Sequence, residues 1–139
     1  MKPEEIRNRM KLFEKMINTC DDALGEELID AEAYFTTPAS PEPLKGPRGY
    51  LDVVRFMRRS FSDVQWNARE IVVEGGTAAV LWECTGTHDG AFLGHAPTGR
   101  HFSASIMNFY HFNEQGKIVG DIAAEGMIAI LRQLGMIRL

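Results

Sequence analysis

Apolar positions recur at intervals of three and four over residues 3–18, where Ile6, Met10, Phe13 and Ile17 form a single stripe. That spacing predicts an amphipathic helix, with Pro3, Glu4 and Glu5 suited to its first turn. A shorter helical stretch carrying Leu24 and Leu28 follows Asp21 and Asp22, and residues 33–37 read as a brief strand stopped by Pro38. The prolines clustered in residues 36–47 mark a loop. Gly46-Pro47 then introduces a second helix, with Tyr50, Val54, Met57 and Phe61 on one face and arginines on the other.

Beyond Ser62-Asp63 the period changes to two. Segments 65–74, 77–88, 100–112 and 117–125 alternate as strands do, with Gly75-Gly76 and residues 113–116 as tight connections, and should pair as consecutive antiparallel strands. A long Gly/Pro-rich connection, residues 86–100, separates the middle two, and loops of that length often carry function. Gly126 releases the chain into a final helical segment whose apolar side is Met127, Ile130, Leu131 and Leu134, with Gly135 as its stop. Helices at the front and a sheet behind predict an α+β domain: a curved, mostly antiparallel sheet wrapped around the helices, with a pocket at its open end.

At 139 residues the chain fits one domain spanning 1–139, and 45% hydrophobic with 24% charged residues is ordinary globular composition. A net charge of -4, from 15 basic and 19 acidic residues, gives no reason to bind nucleic acid. No apolar run approaches the ~20 residues of a membrane helix, and the start, Met-Lys-Pro-Glu-Glu, lacks the apolar core of a signal peptide. With only Cys20 and Cys84 as thiols, a soluble cytoplasmic protein with reduced cysteines is expected. His88, His95, His101 and His111 show no metal-ligand spacing.

The order of these elements, together with Gly86-Thr87-His88, Pro97-Thr98-Gly99-Arg100, Gly116-Lys117-Ile118 and Arg132-Gln133-Leu134-Gly135, resembles the SnoaL-like polyketide cyclases of the NTF2-like superfamily. The resemblance spans essentially the whole chain. It implies a cone-shaped fold with a deep apolar cavity, a homodimer or higher oligomer, no metal or organic cofactor, and ring closure by intramolecular aldol condensation. Carried over residue by residue, the family's catalytic carboxylate falls at Ala123 and its partner histidine near Asn108. Alanine transfers no proton, and asparagine donates a hydrogen bond but is no base.

Local alternation offers replacements. Side chains two apart on a strand share a face, so Asp121 and Glu125 flank Ala123 as candidate catalytic acids, opposite a face shared by Ile106, Asn108 and Tyr110. A carboxylate in a dry pocket can take and return a proton, Asn108 and Tyr110 can donate to a developing oxyanion, and Tyr34, Phe56 and Trp82 are candidate ligand walls. Each aromatic also reads as plain core. His88 is a candidate for the pocket mouth, or an anchor for the long loop.

The expected ligand is a small, largely apolar, carbonyl-bearing molecule on which a proton is moved, by cyclisation or isomerisation. The alternative is a binding module that has lost the acid, as Ala123 suggests. An epoxide-hydrolase-like enzyme would need Arg55 turned inward against the amphipathic pattern, and a dimerisation scaffold would have its cavity filled by side chains.

Overall fold

The computed structural model describes residues 1–37 and 42–138. Helix α1 (Pro3–Thr19) starts with Pro3 in its first turn and with the Glu5 carboxylate accepting from the Lys2 backbone N–H at 3.2 Å. Its stripe of Ile6, Met10, Phe13, Met16 and Ile17 is fully buried. Helix α2 (Asp22–Leu28) is capped by Asp21, whose side chain accepts from the Leu24 N–H at 3.1 Å. Helix α3 (Gly46–Ser60) presses Leu51 and Val54 inward and leaves its last-turn Arg58 and Arg59 at the carbonyl end, where cations are favoured.

Six strands form one sheet in the order β2-β1-β6-β5-β4-β3. As the period-two pattern predicts, β3 (Gln65–Glu74), β4 (Thr77–Thr87), β5 (His101–Phe112) and β6 (Ile118–Ala123) pair consecutively and antiparallel. Two features depart from expectation. Strand β1 (Ile29–Thr36) begins four residues before the predicted start and pairs parallel with β6, and the short β2 (Leu44–Lys45) forms within the segment expected to be loop. The predicted stop at Pro38 lies outside the described residues. Both strands pair with chain that is distant or has little local pattern, so nothing nearby announces them.

Strand β4 shows the cleanest alternation: Ala78, Val80, Trp82 and Cys84 are buried and their neighbours half-buried. Strand β6 does not alternate simply, because Ile118 and Asp121 both face inward. Phe112 pairs with Ile118 and His111 with Gly120, so Val119 is an extra residue without a ladder partner on β5. Such a bulge re-aims every side chain beyond it. Here it turns Asp121 to the core side and Ile122 to the outside.

Residues 88–100 are pinned at both ends. The His88 N–H donates to the Arg100 carbonyl at 2.9 Å and the Gly99 N–H to the His88 carbonyl at 2.8 Å. Further along, the Asp89 and Gly90 N–H groups donate to the Ser60 carbonyl, and the Ser60 hydroxyl donates to the Ala91 carbonyl at 2.8 Å. Gly90 approaches α3 so closely that a Cβ there would lie 2.0 Å from the Arg59 carbonyl oxygen. The long connection is thus clamped to the end of α3, with Phe92 laid against Phe56 and Phe61.

Candidate functional site

Between the inner sheet face and α3 lies a cavity of about 350 Å³, within the roughly 300–1,000 Å³ range of small-molecule sites. Helices α1 and α3 contribute Ile17, Tyr50, Val53, Val54 and Met57, and the sheet contributes Phe35, Trp66, Trp82 and Ile106. Phe92 on the clamped loop completes the apolar wall. Among these groups stand Asn108, Tyr110 and Asp121.

Asp121 is 3% exposed. Both its oxygens accept from the Asn108 amide, at 2.9 and 3.1 Å. Asn108 pairs in register with Ala123 and Tyr110 with Asp121, so amide and carboxylate are diagonal neighbours on one face across the β5–β6 ladder. Burial pushes the Asp121 carboxyl up from 3.8 to about 7, and the Asn108 hydrogen bonds oppose that rise without cancelling it. A proton can therefore be taken or given near neutrality. The other end of the amide, Oδ1, is buried and finds no partner among the described residues.

A second polar group sits beside this pair. The Trp82 indole N–H donates to the Tyr110 hydroxyl at 3.0 Å, and Tyr50 lines the same cavity. Burial raises both phenols above their ordinary value, so both stay protonated and can act as donors. Phe13 and Phe35 hold the Tyr50 ring edge-to-face, with centroids 5.2 and 4.8 Å away.

Of the candidate residues read from sequence, Asp121, Asn108, Tyr110 and Trp82 converge on the cavity wall. Four others lie outside that wall. Glu125 follows the end of β6 at Ala123, so strand alternation no longer governs it, and its exposed side chain faces Arg132 at 3.6 Å. Tyr34 is 60% exposed because its neighbours Ala33 and Phe35 occupy the inner face of β1. Phe56 packs behind Phe92 with ring centroids 5.8 Å apart. The His88 Nδ1 accepts from the Thr98 N–H at 3.2 Å, and its ring lies against Phe61 and Phe92. It anchors the loop that carries a wall residue. Arg55 pairs with Asp22 at 2.5 Å and Asp52 at 3.1 Å outside the cavity, which removes the cation an epoxide-opening site would need.

Phe35, Tyr50, Trp66 and Phe92 are the aromatic wall residues that sequence reasoning missed. Tyr50 stands on the apolar stripe of the second helix, where a phenol reads as core. Phe92 is an isolated aromatic in a Gly/Pro-rich loop, and its presence there was the available signal.

A family model described as SnoaL-like polyketide cyclase matches residues 7–134. The chain belongs to the SnoaL-like polyketide cyclase family. This SnoaL-like chain superposes on TsrD from Streptomyces laurentii with a TM-score of 0.78 at 21% identity, covering 99% of both chains. IdmH from Streptomyces antibioticus, described as a candidate polyketide cyclase, gives a TM-score of 0.74 at 26% identity over 94% of this chain and 98% of that one. AclR from Streptomyces galilaeus, described as a candidate hydroxylase, gives 0.76 at 20% identity over 99% and 85%. No curated protein matches the sequence. The α+β, NTF2-like architecture expected of SnoaL-like proteins is the one observed, with an open six-stranded sheet. Among the described residues no helix is long and apolar enough to cross a membrane.

Proposed function

We propose that the protein holds a small apolar ketone in its cavity and moves a proton on it, with Asp121 as the base and Asn108 as the group that orients that base. The observation that carries this reading is a carboxylate 3% exposed in an apolar chamber, with its pKa raised to about 7. In the ionised state Asp121 takes a proton from the carbon next to the carbonyl. The C–H electron pair enters the enolate, and the proton rests on the carboxyl. Return of that proton to another carbon is isomerisation. Attack of the enolate carbon on a second carbonyl of the same molecule forms a C–C bond, and the resulting alkoxide collects the proton.

A non-catalytic binding module is the second reading, favoured by Ala123 at the position to which the family's acid maps. The two readings separate on one measurement. β-Tetralone, a bicyclic ketone of suitable size, should exchange its acidic α-hydrogens for deuterium faster with the protein than with buffer. Asp121→Asn should lower the catalysed exchange by at least about 100-fold while changing β-tetralone affinity little. Undiminished exchange in the variant excludes Asp121 as the base, and no exchange with the wild type favours the binding module.

The contiguous apolar outer face formed by Met107, Phe109 and Ile122 supports a homodimer built sheet to sheet. Two free cysteines, Cys20 and Cys84, suit a reducing compartment such as the cytoplasm.

A further inference from the structure

Asp121 stands between two aromatic residues on the inner side of the sheet. It pairs in register with Phe35 on β1 and with Tyr110 on β5, so each neighbouring strand sets a ring beside the carboxylate. The Phe35 ring meets Tyr50 edge-to-face with centroids 4.8 Å apart, and Trp66, Trp82 and Phe92 complete the aromatic part of the wall. Among the described residues that line the cavity there is no Lys, Arg or His, and Asp121 is the one carboxyl. The titratable groups close to it are the Tyr50 phenol from α3 and the Tyr110 phenol from β5, which burial keeps neutral. A carboxylate has about four lone-pair sites, and the Asn108 amide takes one on each oxygen. The remaining acceptor capacity, with its negative charge, is left in an aromatic chamber whose wall offers no cation.

We infer that the cavity is also a site for a small lipophilic ammonium ion, a protonated amine on a ring system, whose N–H groups donate to Asp121 while Phe35 and Tyr110 flank the charge. This ligand differs in class from the neutral ketone, and the inference needs the cavity but not the proton transfer. An unpaired charge in an apolar site is strongly disfavoured, and in the empty protein holding a proton relieves it. A ligand ammonium at hydrogen-bond distance relieves it instead, because opposite charges attract far more strongly where water is excluded than in water. Aromatic faces add to the attraction when a cation lies within about 6 Å of the ring centroid. Residues directly opposite on adjacent strands have Cβ atoms about 5 Å apart, so a cation bonded to the carboxylate has a ring on either side. An anionic ligand would meet only the like charge of Asp121.

The test compares three bicyclic probes of one size, β-aminotetralin, β-tetralol and tetralin, by calorimetry at about pH 7 in two buffers of different ionisation enthalpy. The wild type should bind β-aminotetralin, which is protonated at this pH, at least about tenfold more tightly than either neutral probe. Burial holds the free carboxyl near 7 and the ammonium returns it to the ionised state, so amine binding should release about half a proton and the neutral probes none. In Asp121→Asn the amine should lose its advantage and its proton release, with tetralin affinity within about twofold of the wild type. Wild-type affinity for the amine no greater than for β-tetralol overturns the inference even if the variant fails to fold, since a hydrogen bond without charge would then suffice. An amine advantage that survives in Asp121→Asn overturns it as well. Tight amine binding without exchange of β-tetralone hydrogens supports the inference and removes the ketone reading alone. Failure of all three probes to bind overturns the cavity reading and the inference with it.

Discussion

At the scale of single residues, Asp121 trades stability for reactivity. An ordinary aspartate in the unfolded chain loses its proton near 3.8, whereas in the folded state it keeps it until about 7. Between those values the folded protein binds the extra proton, so stability falls as pH rises through the window and levels off above it. A difference of about three units corresponds to roughly 4 kcal/mol. Asp121→Asn should therefore unfold at a higher temperature than the wild type at about pH 8, with the gap closing toward pH 4. Thermal scans across that range check it, and parallel pH profiles for the two proteins would contradict the buried-acid description. Asn108 and Asp121 were legible in the sequence as polar residues on alternating strands of an apolar pattern. Which face each took was not, since residues 118–123 carry apolar side chains on both faces. Tyr34 and Phe35 show the same ambiguity, and there the exposed member of the pair was the one chosen as a wall.

At the scale of elements, the helices and the four-stranded meander followed directly from periodicity, because their pattern is local. The parallel pairing of β1 with β6 brings together residues about 85 apart, and no local signal encodes such a partner. The loop at residues 88–100 was recognisable by composition, but its role lies in its attachment. Ser60, Asp89 and Gly90 fasten it to the end of α3 and so set Phe92 into the wall. Gly90→Ala should push the loop off α3, since no Cβ fits 2.0 Å from a carbonyl oxygen. A loss of about 1–3 kcal/mol in stability is expected, together with weaker β-tetralone binding. Denaturant titration and calorimetry read both effects, and an unchanged affinity would show that Phe92 is dispensable to the wall.

At the scale of the whole molecule, the sheet has two unlike faces. The inner one closes over a core and a cavity, while the outer one leaves Met107, Phe109 and Ile122 more than half exposed, with Phe109 and Ile122 paired across the ladder. A patch of that kind is expected at an interface between copies. Phe109→Glu should convert a dimer to a monomer in sedimentation velocity while leaving β-tetralone affinity within about twofold, because the cavity lies on the other side of the sheet. A wild type that sediments as a monomer would refute the sheet-to-sheet dimer.

Val119 gives the two faces their present assignment. Without that one unpaired residue the carboxylate would join the oily exterior and an isoleucine would plug the chamber, so acid or hydrocarbon inside is a matter of odd or even counting along one short strand.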